Sequence, residues 1–185
     1  AAPEVQDALV RYVVKSERGA SQLVGKYIDE NGHRIRATRA FSFKIQTQGE
    51  HHDLLALFHK INDRYFAVQV DALITWGRRV RRPAGVDEGG HATPPARRRA
   101  IKLGTYSAME RLIRIHPVLD KPWVPRYFVA SVIYHEMLHH VMPATVVNGR
   151  RNLHPPLFQA RERFFRDFER AIAWERGHLH RLLRG

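Results

Sequence analysis

Residues 124–142 read Val-Pro-Arg-Tyr-Phe-Val-Ala-Ser-Val-Ile-Tyr-His-Glu-Met-Leu-His-His-Val-Met and contain His-Glu-x-x-His at positions 135–139. Pro125 suits the first turn of a helix, and Pro143 follows at a point where a helix must stop. Apolar side chains and two histidines then repeat at helical spacing, at Phe128, Val132, His135, His139 and Met142. The stretch therefore predicts one helix with both histidines on its inward face.

The spacing of His135 and His139 is that of two metal ligands on one helix. Residues i and i+4 share a face, so both imidazoles can bind one zinc ion while Glu136 reaches a water beside it. A merely structural histidine pair is the alternative, but two imidazoles buried side by side without a shared ligand would be costly. The pattern indicates metal-assisted hydrolysis, most often of peptide bonds.

A third ligand is expected from outside this helix, because catalytic zinc usually takes three protein ligands and leaves one position open. His154 is the best candidate, since it lies fifteen residues after His139, and Pro155 and Pro156 restrict the backbone beside it. Glu162 is the main rival, since a glutamate on a later helix can also be the third ligand. His140 points about 100° away from its neighbour, which favours a supporting or surface position.

The remaining candidates are less specific. A hydrolase of this kind needs a donor for the oxyanion, and three side chains qualify without the sequence choosing among them: Tyr106, His116 and Arg126. The other histidines fall in predicted loops or near the termini, where an ordinary surface position is expected: His51, His52, His91, His178 and His180.

Length and composition narrow the class of protein. A chain of 185 residues with 44% hydrophobic residues can bury one substantial core. The absence of cysteine excludes disulfides and cysteine zinc sites and fits a reducing compartment, so we expect a cytoplasmic protein. No apolar run approaches the roughly 18 residues of a membrane span, and the first residues lack the pattern of a secretory signal.

The charge is strongly positive and uneven. The formal net charge is +13, and residues 77–102 hold eight cationic side chains against Asp87 and Glu88. Such an excess is typical of proteins that bind DNA or another polyanion. A solvated basic surface is the alternative, but a phosphate-contacting role is favoured because blocks of like charge repel one another unless something neutralises them. The cationic candidates for phosphate contacts are Arg78, Arg79, Arg81, Arg82, Arg97, Arg98, Arg99 and Lys102.

The remaining patterns predict an α+β fold, with a small mixed or antiparallel sheet packed against helices. Helices are expected over 4–14, over 20–29, from His52 to Phe66, and from Pro155 onward with an apolar stripe of Leu157, Phe164, Phe168 and Ile172. Strands are expected over 41–46, 72–76, 100–106 and 111–115, and loops over 83–95, 117–123 and 143–153. We expect an N-terminal extension over 1–50 and a main domain over 51–185.

Several ordered motifs resemble the SprT-like, or Spartan-type, family of zinc metalloproteases. They cover about residues 52–170 and comprise Ile61-Asn62-Asp63-Arg64-Tyr65-Phe66, Ile74-Thr75-Trp76-Gly77-Arg78-Arg79, Leu103-Gly104-Thr105-Tyr106, Ile113-Arg114-Ile115-His116-Pro117, Tyr134-His135-Glu136-Met137-Leu138-His139 and His154-Pro155-Pro156-Leu157-Phe158. The last motif matches the family's third zinc ligand, a histidine followed four residues later by an aromatic residue. The cysteine zinc ribbon of many relatives has no counterpart in this cysteine-free chain.

The resemblance implies a zincin-like fold with the His-Glu-x-x-His motif on a central helix, one zinc ion on His135, His139 and His154, and Glu136 as general base. It also implies a protein substrate that is associated with or crosslinked to DNA. Two other functions stay open: a DNA-binding or regulatory module with a structural zinc, and a dedicated regulatory peptidase that does not depend on DNA. The 83–95 loop is a candidate gate for the activity.

Overall fold

The computed structural model describes residues 3–15, 17, 19–20, 23–24, 27, 44–78, 85–86, 92–93, 100–147 and 150–184. The chain divides into two compact units, Ala1–Lys44 and Ile45–Gly185, and each is described by itself. The predicted domain boundary after residue 50 stays a prediction. Within the described ranges, no helix has the length and apolar character needed to cross a membrane.

The first unit contains helix α1, Pro3–Lys15, which confirms the helix predicted over 4–14. The helix predicted over 20–29 lies largely outside the described residues, as do residues 41–43 of the predicted 41–46 strand. Residues 44–46 form no strand, so that part of the prediction is wrong. Instead, the Gln46 carbonyl accepts one backbone hydrogen bond from Trp76, at 2.8 Å, without extending a ladder.

The second unit contains four described α-helices and a short 3₁₀ turn. The helices are α2 at Leu54–Phe66, α3 at Arg126–Val141, α4 at Pro156–Glu162 and α5 at Phe168–Arg184, and the 3₁₀ turn is Pro117–Leu119. The strands are β1 at Leu73–Trp76, β2 at Gly85–Val86, β3 at Ala92–Thr93, β4 at Gly104–Ser107, β5 at Leu112–Ile115, β6 at Thr145–Val147 and β7 at Arg150–Asn152. The α+β class is confirmed.

The main sheet is small and mixed, as predicted, with the strand order β1-β5-β4. β1 pairs in parallel with β5, placing Leu73 opposite Leu112, and β4 pairs antiparallel with β5, placing Gly104 opposite Ile115. Ile113 and Ile115 are fully buried in the core that the sheet shares with α2 and α3. The burial of the isoleucines holds the sheet against the helices, because burying such a side chain contributes about 1.5–3 kcal/mol.

The turn between helix α2 and strand β1 is held by the buried side chain of Asn62. The Asp53 side chain accepts from the Ala56 N–H and caps the helix start. At the other end, Asn62 donates to the Val70 carbonyl at 3.0 Å and accepts from the Val70 N–H at 3.1 Å. These bonds hold Ala67 and Val68 at positive φ, a conformation that side chains rarely adopt.

Two segments predicted as loops contain paired strands. In the 83–95 segment, β2 pairs with β3, although the remaining residues of that segment lie outside the described part of the chain. In the 143–153 segment, β6 and β7 form an antiparallel pair on either side of Asn148-Gly149. Asn-Gly directly after a run of β-branched residues is a strong hairpin pattern, so the second error was avoidable from the sequence.

The single helix predicted from Pro155 onward is wrong, because the chain breaks between α4 and α5. At the break, the Phe165 ring packs 5.7 Å from the ring of Tyr65 and 5.2 Å from that of Tyr134. The predicted stripe is also wrong in part, since Leu157 and Phe164 are each 68% exposed whereas their neighbours Phe158 and Phe165 are buried. Phe158 and Phe165, rather than the predicted Leu157 and Phe164, are therefore buried apolar side chains of this segment.

Asp120 joins the segment before α2 to the segment before α3. Its carboxylate accepts backbone N–H groups from Glu50 at 2.7 Å, His51 at 2.8 Å and His52 at 3.1 Å. Burial raises the pKa of Asp120, but the three backbone hydrogen bonds outweigh burial and leave the pKa below its ordinary value. The ionised carboxylate therefore stabilises the folded protein.

We expect Asp120→Asn to lower the free energy of unfolding at pH 7 by about 1–3 kcal/mol, since the amide cannot replace a charged acceptor for three donors. Because the pKa of Asp120 is lowered on folding, its stabilisation is present above the ordinary value of 3.8 and is lost as the pH falls below it. Urea unfolding between pH 7 and pH 3 measures both effects. Equal stability at pH 7, or a difference that does not shrink in acid, contradicts this role.

Candidate metal site

Helix α3 places the first two histidines side by side, in the helix predicted from the sequence. His135 and His139 lie one turn apart, with their Nε2 atoms 3.2 Å apart and their ring centroids 4.9 Å apart. Pro125 precedes the first helical residue as the N-cap, one position earlier than predicted. Both rings are partly buried, so they form a prearranged pair rather than two mobile surface side chains.

The segment between β7 and α4 brings His154 to the same point. Its Nε2 atom lies 3.3 Å from that of His135 and 3.1 Å from that of His139. The His154 N–H donates to Asn152 Oδ1 at 3.1 Å, and its carbonyl accepts from Gln159 Nε2 at 3.2 Å. Local hydrogen bonds on both sides of His154 therefore hold its backbone in position.

The three nitrogen atoms match the dimensions of a metal site. Two histidine ligands at about 2.0–2.1 Å from a tetrahedral zinc ion have their nitrogens about 3.3–3.4 Å apart, close to the observed separations. Hydrogen bonds alone cannot satisfy three mutually close imidazole nitrogens, because at least one pair must then face donor to donor or acceptor to acceptor. His135, His139 and His154 lie close together and could hold a metal ion.

Glu162 holds His135 from the opposite side of its ring. Glu162 Oε1 lies 2.6 Å from His135 Nδ1, so that nitrogen donates to the carboxylate and Nε2 is left as the ligand atom. Burial lowers the pKa of His135. The hydrogen bond to Glu162 and the charges of nearby carboxylates raise it by more than burial lowers it, so the net shift of the pKa is upward. In this geometry Glu162 orients a ligand and does not join the three nitrogens as the rival third ligand.

The other two histidines are held in their neutral form. Burial, together with the charges of His135 and His154, lowers the pKa of His139 to about 4. Burial and the charge of His135 also lower the pKa of His154. Since a neutral imidazole is the form that binds metal, both rings are ready to act as ligands at neutral pH.

Phe158 forms an apolar floor beneath the three rings. Its side chain is fully buried, and its ring centroid lies 5.3 Å from that of His135, 4.7 Å from that of His139 and 4.8 Å from that of His154. This is the aromatic residue four positions after His154 in the sequence motif. The contact shows what that spacing achieves, because one side chain limits the rotation of all three imidazoles.

Glu136 directly follows His135 on α3, and its side chain packs against strand β4 of the sheet. It is only 5% exposed, and its carboxylate accepts the backbone N–H of Tyr106 in β4. Burial raises the pKa of Glu136 to about 7, although the charges of His135 and Lys102 and the bond from Tyr106 oppose this shift. A carboxyl group with this pKa can both accept and release a proton near neutral pH.

The three oxyanion candidates occupy different places. The Tyr106 hydroxyl lies 2.9 Å from His140 Nδ1, so His140 supports β4 and its pKa is lowered, chiefly by burial. His116 Nδ1 accepts from the Val118 N–H at 3.0 Å and caps the 3₁₀ turn. Arg126 opens α3, about 13.5 Å along the axis from His135. Of these contacts, the one with Glu136 is made by the backbone N–H of Tyr106, while its hydroxyl faces His140.

The basic segment is only partly described. Arg78 and Lys102 are exposed, and the charge of Lys102 acts on Glu136, which places this cation near the site. The other six cationic candidates lie outside the described residues: Arg79, Arg81, Arg82, Arg97, Arg98 and Arg99. Binding of DNA through this segment stays a prediction.

Two histidines predicted at the surface are partly buried. His52 has its Nε2 atom buried, and burial lowers its pKa. His178 stacks on Trp174 at 4.4 Å and donates from Nδ1 to the Trp174 carbonyl, because α5 stays helical to Arg184 and does not fray there. His51 and His180 are exposed, and His91 lies outside the described residues.

Comparison of the chain with protein-family models, with curated proteins and with solved structures finds no match. The resemblance to the SprT-like family therefore stays a prediction that rests on the motifs.

Proposed function

We propose that this protein is a zinc-dependent metallopeptidase. The observation that carries the proposal is the convergence of three histidine Nε2 atoms, 3.1–3.3 Å apart, with a buried glutamate between two of the histidines in the sequence. Imidazole ligands suit zinc, copper, nickel and iron, and the His-Glu-x-x-His spacing favours zinc among them. A zinc ion on His135, His139 and His154 would acidify a water molecule and polarise the carbonyl of a peptide bond.

Glu136 is the proposed general base. It follows His135 directly in the sequence, and its side chain is buried and hydrogen-bonded to β4. In the proposed reaction its carboxylate accepts a proton from the attacking water and returns that proton to the leaving amine. Its raised pKa suits both transfers near neutral pH, since the proton is neither held too weakly nor too strongly.

A structural zinc in a DNA-binding or regulatory module is the main competing function. Structural zinc sites usually have four protein ligands, whereas the described residues bring only three ligand atoms of histidine, cysteine or carboxylate side chains together. Three ligands leave a position for water and substrate, which favours the catalytic assignment. A dedicated regulatory peptidase would have the same site and would differ only in its substrate.

For the wider assignment we propose a SprT-like, zincin-like protease that acts on proteins associated with DNA. Support comes from the His-Glu-x-x-His motif on α3, the contact of Phe158 with all three histidines, and the net charge of +13. Phosphate contacts by exposed cations such as Arg78 would make DNA binding fall steeply with salt. A dedicated regulatory peptidase would show no such dependence on DNA.

The test is peptide cleavage before and after removal of the metal. We expect about one zinc per chain after purification without added metal, loss of cleavage on chelation, and recovery when zinc is restored. Metal content by mass spectrometry and cleavage of a fluorogenic peptide mixture, with and without DNA, measure this. Full cleavage by metal-free protein, or no cleavage by zinc-loaded protein under either condition, contradicts the proposal.

A further inference from the structure

Strand β4 packs along the face of α3 that carries Glu136, and residues of the two elements contact each other in register. Glu136 accepts from the Tyr106 N–H, and His140, four residues later on α3, meets the Tyr106 hydroxyl at 2.9 Å. Four helical residues advance about 6 Å, and two strand residues advance about 6.7 Å. The strand position two residues before Tyr106 is Gly104, and it therefore lies opposite the Glu136 side chain.

Gly104 leaves the space that the Glu136 side chain occupies. A Cβ atom built on Gly104 would lie 2.6 Å from Glu136 Oε1, 2.8 Å from its Cγ and 3.0 Å from its Cδ. Real Cβ contacts are essentially never shorter than 3.0 Å. Because Glu136 is only 5% exposed, its side chain cannot simply swing into solvent to make room. Any other residue at position 104 must displace the carboxylate.

We propose that Gly104 and the Tyr106 N–H form a cradle that sets the position of the Glu136 carboxylate, and that Gly104 is a positioning residue for the hydrolysis. Gly104 supplies the room, and Tyr106 supplies the donor that selects one orientation within it. The catalytic part of this inference rests on the proposed function, whereas the cradle rests on packing alone. A displacement of about 1 Å in a reacting group can cost about a hundredfold in rate.

The first experiment compares Gly104→Ala with Gly77→Ala in the zinc-loaded full chain. Gly77 follows β1 and is a matched control, because among the described residues its Cβ would meet only Ile115 O at 3.4 Å and Pro117 Cδ at 3.7 Å. We expect Gly104→Ala to lower kcat about a hundredfold, with KM within about twofold and zinc content unchanged, while Gly77→Ala stays near wild type. Wild-type kcat in Gly104→Ala, or loss of zinc in parallel with activity, overturns the positioning role.

The second experiment measures the cradle without using activity. Gly104→Ala should lower the Tm by roughly 5 °C, because an added methyl overpacks a filled site. In a Glu136→Ala background the same change should have little effect, because the carboxylate that it would strike is absent. Equal losses in both backgrounds overturn the cradle. If the loss of Tm depends on Glu136 but the wild-type protein cleaves no peptide, the cradle is supported. The proposed hydrolysis, and the part of Gly104 in it, are then overturned.

Discussion

The Glu136→Gln variant is expected to lose peptide hydrolysis and to keep its zinc. The amide has nearly the same shape as the carboxylate but cannot accept a proton from water, and general-base catalysis is typically worth about 10²–10⁴-fold. Zinc should stay bound, because Glu136 contributes none of the three converging ligand atoms. The measurements are kcat/KM for peptide cleavage and zinc content per chain.

Glu169→Gln is the matched control, since it makes the same chemical change on an exposed glutamate in the first turn of α5. This control should cleave at the wild-type rate. Cleavage by Glu136→Gln within about twofold of wild type would remove Glu136 from the mechanism. A large loss of zinc would instead mean that Glu136 supports the metal site.

The His154→Ala variant is expected to weaken metal binding more than Glu162→Gln does. It removes one of three nitrogens that lie 3.1–3.3 Å apart and leaves the pair on α3. Glu162→Gln removes only the acceptor on the far side of His135, a change that typically costs about 10–100-fold in metal affinity. We therefore expect a greater loss for His154→Ala than for Glu162→Gln, measured as the zinc dissociation constant by competition with a chelator.

His180→Ala controls for loss of an exposed histidine, and its zinc affinity should equal that of the wild type. The comparison of His154 with Glu162 separates the two candidates for third ligand. If Glu162→Gln loses more zinc than His154→Ala, Glu162 is the ligand and the three-histidine assignment is wrong. Equal affinities in all three variants and the wild type would mean that zinc binds elsewhere.

Local patterns predicted the elements that bear the three converging histidines. Helix α3 could be predicted because its apolar periodicity and its flanking prolines agree, and the spacing of His135 and His139 follows from helical geometry alone. His154 could be proposed by its residue type and by the turn-rich segment before it. Strands β1, β4 and β5 lie within the predicted ranges, or one residue beyond them, because β-branched and aromatic residues mark them.

Features that depend on distant contacts could not be predicted. The role of Glu162 requires α4 to dock with its acidic side chain toward His135, which lies 27 positions earlier. Asp120 binds backbone groups about 70 positions away, and no local pattern marks such a pair. Gly104 reads as an ordinary strand interruption until Glu136 is seen to fill its space. The break before α5 follows from the burial of Phe165 against Tyr65 and Tyr134.

Phe158 couples the geometry of the candidate metal site to the packing of α4 against α3. Two of the three converging histidines belong to α3, the third lies just before α4, and α4 itself supplies Phe158 and Glu162 to the same cluster. An ion that binds only when α4 is packed against α3 must also stabilise that packing. The stabilisation is about 2.7 kcal/mol when the concentration of the ion is a hundred times its dissociation constant. If zinc occupies this site, as we propose, the supply of zinc would change the stability of the folded protein as well as its activity.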